Sequence, residues 1–198
     1  MKQGLLITLL VGFNYSVSAQ DDIVACERNV ASKADSFMKA GKDPFEILRQ
    51  CALNKPIPSF KLVTMNGDTI SSKQIEGKVI VLNFWFIDCH PCIAEVPGMN
   101  KLTAEYKNNN VEFLAITWET DKRVKEEFLK KYKLDFKIIP EARRYINNAM
   151  ASGYPTTYIL DTKGIIREAW NGGSTGDTAG DEYYEKAKPV IDRLLKVQ

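Results

Sequence analysis

Val79-Ile80-Val81-Leu82-Asn83-Phe84-Trp85-Phe86-Ile87-Asp88-Cys89-His90-Pro91-Cys92 decides how the rest of the chain is read. Residues 79–85 form a nearly continuous apolar run of strand length, the pattern of a central strand covered on both faces. A Cys-x-x-Cys pair follows at once, and residues 93–107 then return to helical spacing. Pro97 and Gly98 interrupt that spacing and predict a kink about one turn into the helix. The only histidine of the chain, His90, lies inside the pair. The four cysteines are Cys26, Cys51, Cys89 and Cys92, too few to scaffold 198 residues by themselves.

Downstream, the pattern predicts a strand over 111–117, a charged helix near 121–132 and a shorter helix near 142–150. Strands over 156–160 and 165–170, joined by Asp161-Thr162-Lys163-Gly164, read as a hairpin. A glycine-rich loop over 171–180 precedes a last amphipathic helix ending near Val197. Upstream, Lys55-Pro56-Ile57-Pro58 cannot continue a helix, so the main domain is placed at 56–198. Residues 60–64 and 68–70 around Asn66-Gly67 read as a hairpin with a type I′ turn. Residues 20–55 read as a two-helix appendage broken at Gly41-Lys42-Asp43-Pro44. Parallel and antiparallel strands mixed in one helix-flanked sheet define the expected α/β fold class.

Residues 1–19 carry Lys2, an apolar run from Gly4 to Phe13, and Ser16-Val17-Ser18-Ala19, which together read as a signal peptide cleaved after Ala19. The apolar run is only about half the roughly 20 residues a membrane span needs. Ile23-Val24-Ala25-Cys26 resembles a lipoprotein cleavage box, but Asp21 and Asp22 separate it from that run. Export to the periplasm or cell envelope, an oxidising compartment, is the expectation. With 27 basic and 25 acidic residues the net charge is +2, which excludes nucleic-acid binding by bulk electrostatics. Partners must then be recognised by local chemistry.

The stretch from Asn83 to Pro97, with Gly153-Tyr154-Pro155-Thr156-Thr157-Tyr158-Ile159-Leu160-Asp161 downstream, resembles the thioredoxin superfamily and, within it, the exported TlpA/ResA-like thiol-disulfide oxidoreductases. The resemblance covers about residues 56–198 and leaves the appendage unexplained. It implies a thioredoxin fold, exchange of disulfides with client proteins, and an electron donor in the membrane or periplasm. It also implies apocytochrome maturation or general thiol reduction as the setting. Neither a metal nor an organic cofactor is implied. Similar members usually carry tryptophan directly before the first cysteine, where this chain has Asp88.

Disulfide exchange needs a thiolate to attack and a second thiol to resolve the mixed disulfide. At a helix start the first sulfur meets free N–H groups and the positive end of the helix dipole, so Cys89 is the expected nucleophile and Cys92 the more buried, resolving thiol. An inert disulfide or half a zinc site would use the same spacing. No second Cys-x-x-Cys and no His-x-x-x-His supports zinc, and Ile93 after Cys92 excludes a Cys-x-x-Cys-His haem attachment. Protonated His90 would stabilise the Cys89 thiolate, unless it is only a solvated rim residue, while Asp88 would oppose it. Pro91 suits a first helical turn.

Glu95, three residues after Cys92, falls on a neighbouring face of the same helix and could relay protons to it. In the resembled family an acid there modulates the thiols, and Asn83 stands where thioredoxins carry a buried acid. A plain surface glutamate is the alternative. The resemblance makes Pro155 a cis proline and assigns substrate contact to Tyr154, Pro155 and Trp85; local sequence alone would favour a trans bond. A structural disulfide between Cys26 and Cys51 competes with two buried free thiols, because a simple antiparallel pair leaves them roughly 9 Å out of register at about 1.5 Å per residue. A peroxiredoxin would need threonine or serine where Phe86 stands. A binding module with a permanently oxidised pair is the rival from another class, and a disulfide-donating oxidase the rival in direction; reduction of clients is expected.

Overall fold

A computed structural model describes residues 19–150 and 152–197. Of the expected leader, residues 1–18 lie outside them. Five strands form one mixed sheet in the order β5-β4-β3-β6-β7: β3 (Val79–Trp85), β4 (Val111–Thr117), β5 (Lys137–Ile139), β6 (Thr156–Leu160) and β7 (Ile166–Asn171). β3 pairs in parallel with β4 and antiparallel with β6, which places it at the centre. All seven of its residues are buried, as a central strand between two helical layers requires.

Alternation along β3 divides the core in two. Val79, Val81 and Trp85 face α4 (His90–Glu105) and α7 (Ala179–Leu195), where they meet Met99, Leu102, Tyr183 and Ile191. Ile80, Leu82 and Phe84 face the opposite layer, which includes Tyr145 and Ile146 of α6 (Arg143–Ala149). Between β4 and β5 the chain forms a short α5 (Asp121–Arg123) that continues as a π-helical turn over Val124–Phe128.

Where α4 crosses α7 the backbones nearly touch. A Cβ built on Gly98 would lie 1.9 Å from the Gly180 carbonyl oxygen. α4 runs through Pro97 as one helix from His90 to Glu105. Glycine at 98 thus serves the close helix contact.

The hairpin of β1 (Lys61–Val63) and β2 (Thr69–Ser71) differs from the expected type I′ turn. Gly67 N donates to Thr64 O and Thr64 N to Asp68 O, and of the Asn66-Gly67 pair only Gly67 has positive φ, at 85°. A three-residue loop closing on a left-handed glycine has this pattern.

The appendage holds three helices, α1 (Ala19–Ser32), α2 (Ala34–Lys39) and α3 (Pro44–Ala52), where two were expected. The break at Lys33 shortens the first arm, and Cys26 and Cys51 come to a Cα separation of 5.6 Å and are joined as a disulfide. The appendage shares the domain core: Ile23 and Ala52 are fully buried with Leu160 and Ile166. Arg49 clamps α3 to β7 through two hydrogen bonds, 2.6 and 3.1 Å, to the Glu168 carboxylate.

Candidate active site

Cys89 caps α4, its Sγ accepting from Cys92 N at 3.3 Å, and Pro91 occupies the first turn, where no N–H is needed. The two cysteines are bonded to each other. α4 is long enough to present its positive end to the Cys89 sulfur once reduced. Contrary to the expected difference in accessibility, both cysteines are equally buried at 4% exposure. The bond draws both sulfurs into the first helical turn, and Ile87 and Ile93 pack against the same cluster. His90 is exposed on the rim.

Asp88 is not the isolated anion that would simply repel a thiolate. Its side chain, 74% exposed, lies 3.5 Å from the Arg123 guanidinium, which also binds the buried Glu119 at 2.7 Å and Glu127 at 2.8 Å. Glu119 in turn accepts from Ile87 N at 3.4 Å. An ion-pair cluster from the C-terminal end of β4 therefore braces the segment before Cys89. The signal available in the sequence was that the C-terminal ends of parallel neighbours β3 and β4 meet, as at binding sites of open α/β sheets.

Trp85 is corrected from substrate contact to core. It is 3% exposed and its ring packs on Phe128 at 4.5 Å. The aromatic rim is made instead by Phe86, Trp118 and Tyr154, half-buried, with centroids 4.6 to 5.4 Å apart. Arg143 lies over Trp118 at 5.3 Å. Tyr154-Pro155 is a cis peptide, and the pairing of Phe84 with Thr156 puts Pro155 at the end of the sheet that carries the cysteines.

Glu95 lies beneath this surface, 3% exposed, and its Oε2 has no hydrogen-bond partner. Loss of water is the dominant cause that pushes its carboxyl up to about 8, and the charge of Lys186 on α7 opposes the rise. Asn83, 1% exposed, donates to Thr157 Oγ1 at 3.0 Å and cannot titrate. Tyr183 of α7 is fully buried behind them, its hydroxyl held neutral chiefly by burial and further by the Glu95 charge. Glu95 thus combines deep burial beside the cysteine pair with a proton that moves near neutral pH.

This burial has a measurable consequence. With a folded value raised above the unfolded one, the native state binds the extra proton between about pH 4.5 and 8, so stability is full below that window and falls as pH rises through it. The Glu95→Gln chain should lack this slope, which can reach about 1.4 kcal/mol per pH unit. Urea titrations from pH 4 to 9 check it, and parallel curves for the two chains would refute it.

Among the described residues no group of three His, Cys, Asp or Glu side chains could hold a metal ion, and no helix is long and apolar enough to cross a membrane.

The sequence model of the AhpC/TSA family matches residues 53–169. The chain belongs to that thioredoxin-like family. Curated relatives include the thiol-disulfide oxidoreductase ResA of Bacillus thuringiensis subsp. konkukian, 34% identical over 139 residues, which is 69% of this chain and 79% of the relative. ResA of Halalkalibacterium halodurans is 33% identical over 132 residues, 66% of this chain and 74% of the relative. Among solved structures, a thiol:disulfide interchange protein of the thioredoxin family from Chlorobium tepidum TLS superposes with a TM-score of 0.53 at 24% identity, covering 71% of this chain and 95% of that one. The thioredoxin domain of a thiol-disulfide oxidoreductase from Bacteroides vulgatus superposes at 0.57 with 18% identity, covering 71% and 98%. The AhpC/TSA member described here is a thiol-disulfide oxidoreductase of ResA type with a thioredoxin fold.

Proposed function

We propose that this oxidoreductase works in the cell envelope after removal of the leader, and that it reduces disulfides in client proteins. The observation that carries the reading is the buried, unpartnered Glu95 carboxyl one turn beyond Cys92, a proton acceptor placed behind the resolving thiol.

In the reducing direction the Cys89 thiolate attacks one sulfur of the client disulfide. A Cys89–client bond forms, the client S–S bond breaks, and the released client thiolate takes a proton from water. The Cys92 thiol then gives its proton to ionised Glu95 and attacks Cys89 Sγ. The mixed disulfide breaks, the second client thiolate leaves and is protonated, and two electrons have passed to the client. A dithiol protein of the membrane or periplasm must supply the next pair of electrons. The Phe86–Trp118–Tyr154 rim is the surface on which an extended client segment would lie, next to the backbone before Pro155. A peroxide-reducing site is disfavoured, because Phe86 puts a ring where that chemistry needs a hydroxyl.

The direction is read from the resemblance, weighed against the balance around Cys89. The helix dipole and a protonated His90 would stabilise a thiolate and make the pair more oxidising, while Asp88 opposes them with a charge that Arg123 partly offsets. The resemblance to reducing members favours a potential below about −200 mV, nearer thioredoxin at about −270 mV than the strong oxidants at about −120 mV. Equilibration in dithiothreitol and glutathione buffers measures it. A value above about −150 mV would make the protein a disulfide donor and sink the reductase reading.

A further inference from the structure

We propose that Gly173 is a positioning residue for Glu95: its missing side chain lets the glycine-rich loop close directly on the carboxylate, and that closure keeps the proton-handling group dry. The inference rests on the reading of Glu95 as the proton partner of Cys92. A Cβ built at residue 173 would stand 2.5 Å from Glu95 Oε1, 3.2 Å from its Cδ and 3.4 Å from Pro155 Cγ. The loop backbone therefore lies on the carboxylate and on the cis proline at once.

Other contacts hold it there. Gly172 N donates to Pro155 O at 2.8 Å, and Asn171 Nδ2 donates to Thr156 Oγ1 at 2.7 Å and to Pro155 O at 3.3 Å. The loop is thus bound by two hydrogen bonds to the substrate-side proline and one to Thr156, and it contributes no charge over residues 171–173. From α7, Lys186 and Tyr183 face Glu95, Lys186 through its charge and Tyr183 through a buried hydroxyl beside Thr157. From its own helix Cys92 faces it, and β6 presents only uncharged Thr157 and Ile159 on that side. Lys186 is the one cation of this set, so the state of Glu95 turns on how much water the loop admits.

The backbone of Gly173 has no left-handed strain, and the nearest atom to an added methyl is the free end of a flexible side chain. Gly173→Ala should therefore fold while displacing the carboxylate or lifting the loop. Both displacements let water or Lys186 reach the charged form.

The test is the Glu95 carboxyl titration, followed by carbon-13 NMR in the full oxidised chain, together with the pH profile of insulin reduction. Gly173→Ala is expected to lower the Glu95 midpoint by at least one pH unit, a tenfold loss of proton affinity, and to carry the exchange profile with it. Asn171→Ala, which removes two of the three anchors, should move it in the same direction. Gly176→Ala in the same loop meets only Ser174 Oγ at 3.7 Å and should leave it in place. A midpoint unmoved or raised in Gly173→Ala overturns the proposal. An exchange profile unmoved by Glu95→Gln would instead overturn the relay reading, and the carboxyl midpoint would then decide the role of Gly173 alone.

Discussion

Cys92→Ala is expected to convert the protein from a catalyst into a trap. Its Cys89 keeps the helix N-terminus and can still attack a client disulfide, but the second sulfur, which in the native chain bonds to Cys89 Sγ, is gone and nothing releases the adduct. Groups held in line act at effective molarities far above the millimolar level of any external thiol. Adduct release should then slow by at least about 10³-fold relative to the native chain. Insulin reduction should fall to the dithiothreitol baseline while mixed disulfides accumulate on non-reducing gels. Cys89→Ala should lose the activity and form no adducts. Adducts on Cys89→Ala and none on Cys92→Ala would reverse the assignment of roles, a real alternative given that both cysteines are equally buried in the oxidised form.

What could be read directly from the residues follows a physical division. β4 and β6 fall at 111–117 and 156–160 as expected, because strands buried on both faces are rich in apolar, aromatic and β-branched residues. β5 carried no such signal: Lys137–Ile139 has three residues with an exposed lysine at the edge, and only its pairing with β4 makes it a strand. The third appendage helix was hidden because the break at Lys33 needs neither glycine nor proline. Within the site, Cys89, Cys92 and Glu95 lie within seven residues, so helical spacing alone groups them. Arg123 meets Asp88 across 35 residues, and Gly173 meets Glu95 across nearly eighty, so only the folded chain brings either pair together. Trp85 was misplaced for a related reason. Alternation on β3 turns it inward while Phe86, at the strand end, turns to the rim.

The second large effect is expected far from the sulfurs, at the crossing of α4 and α7. Gly98→Ala brings two opposed effects. Alanine is the better helix former by about 1 kcal/mol, which would stabilise an isolated α4. Its methyl, however, would meet the Gly180 carbonyl oxygen at 1.9 Å, the carbonyl carbon at 2.7 Å and Cα at 3.1 Å, all backbone atoms that no rotamer change can move. α7 must shift as a unit, carrying Tyr183 and Ile191 away from Met99 and Leu102 of α4 in the same core. Overpacking costs about 1 to 3 kcal/mol, and a 1.9 Å approach to backbone puts this case at about 3, so after the propensity gain of about 1 kcal/mol a net loss of about 2 kcal/mol is expected. For a chain of this size that lowers Tm by roughly 4 to 8 °C. Gly180→Ala meets its nearest atoms at 3.0 and 3.1 Å and should cost less. Thermal melts of the oxidised chains at one pH rank the three. A Gly98→Ala chain that melts at or above the native temperature would mean that the two helices separate without loss, and that the glycine contact does not hold α7 behind the site.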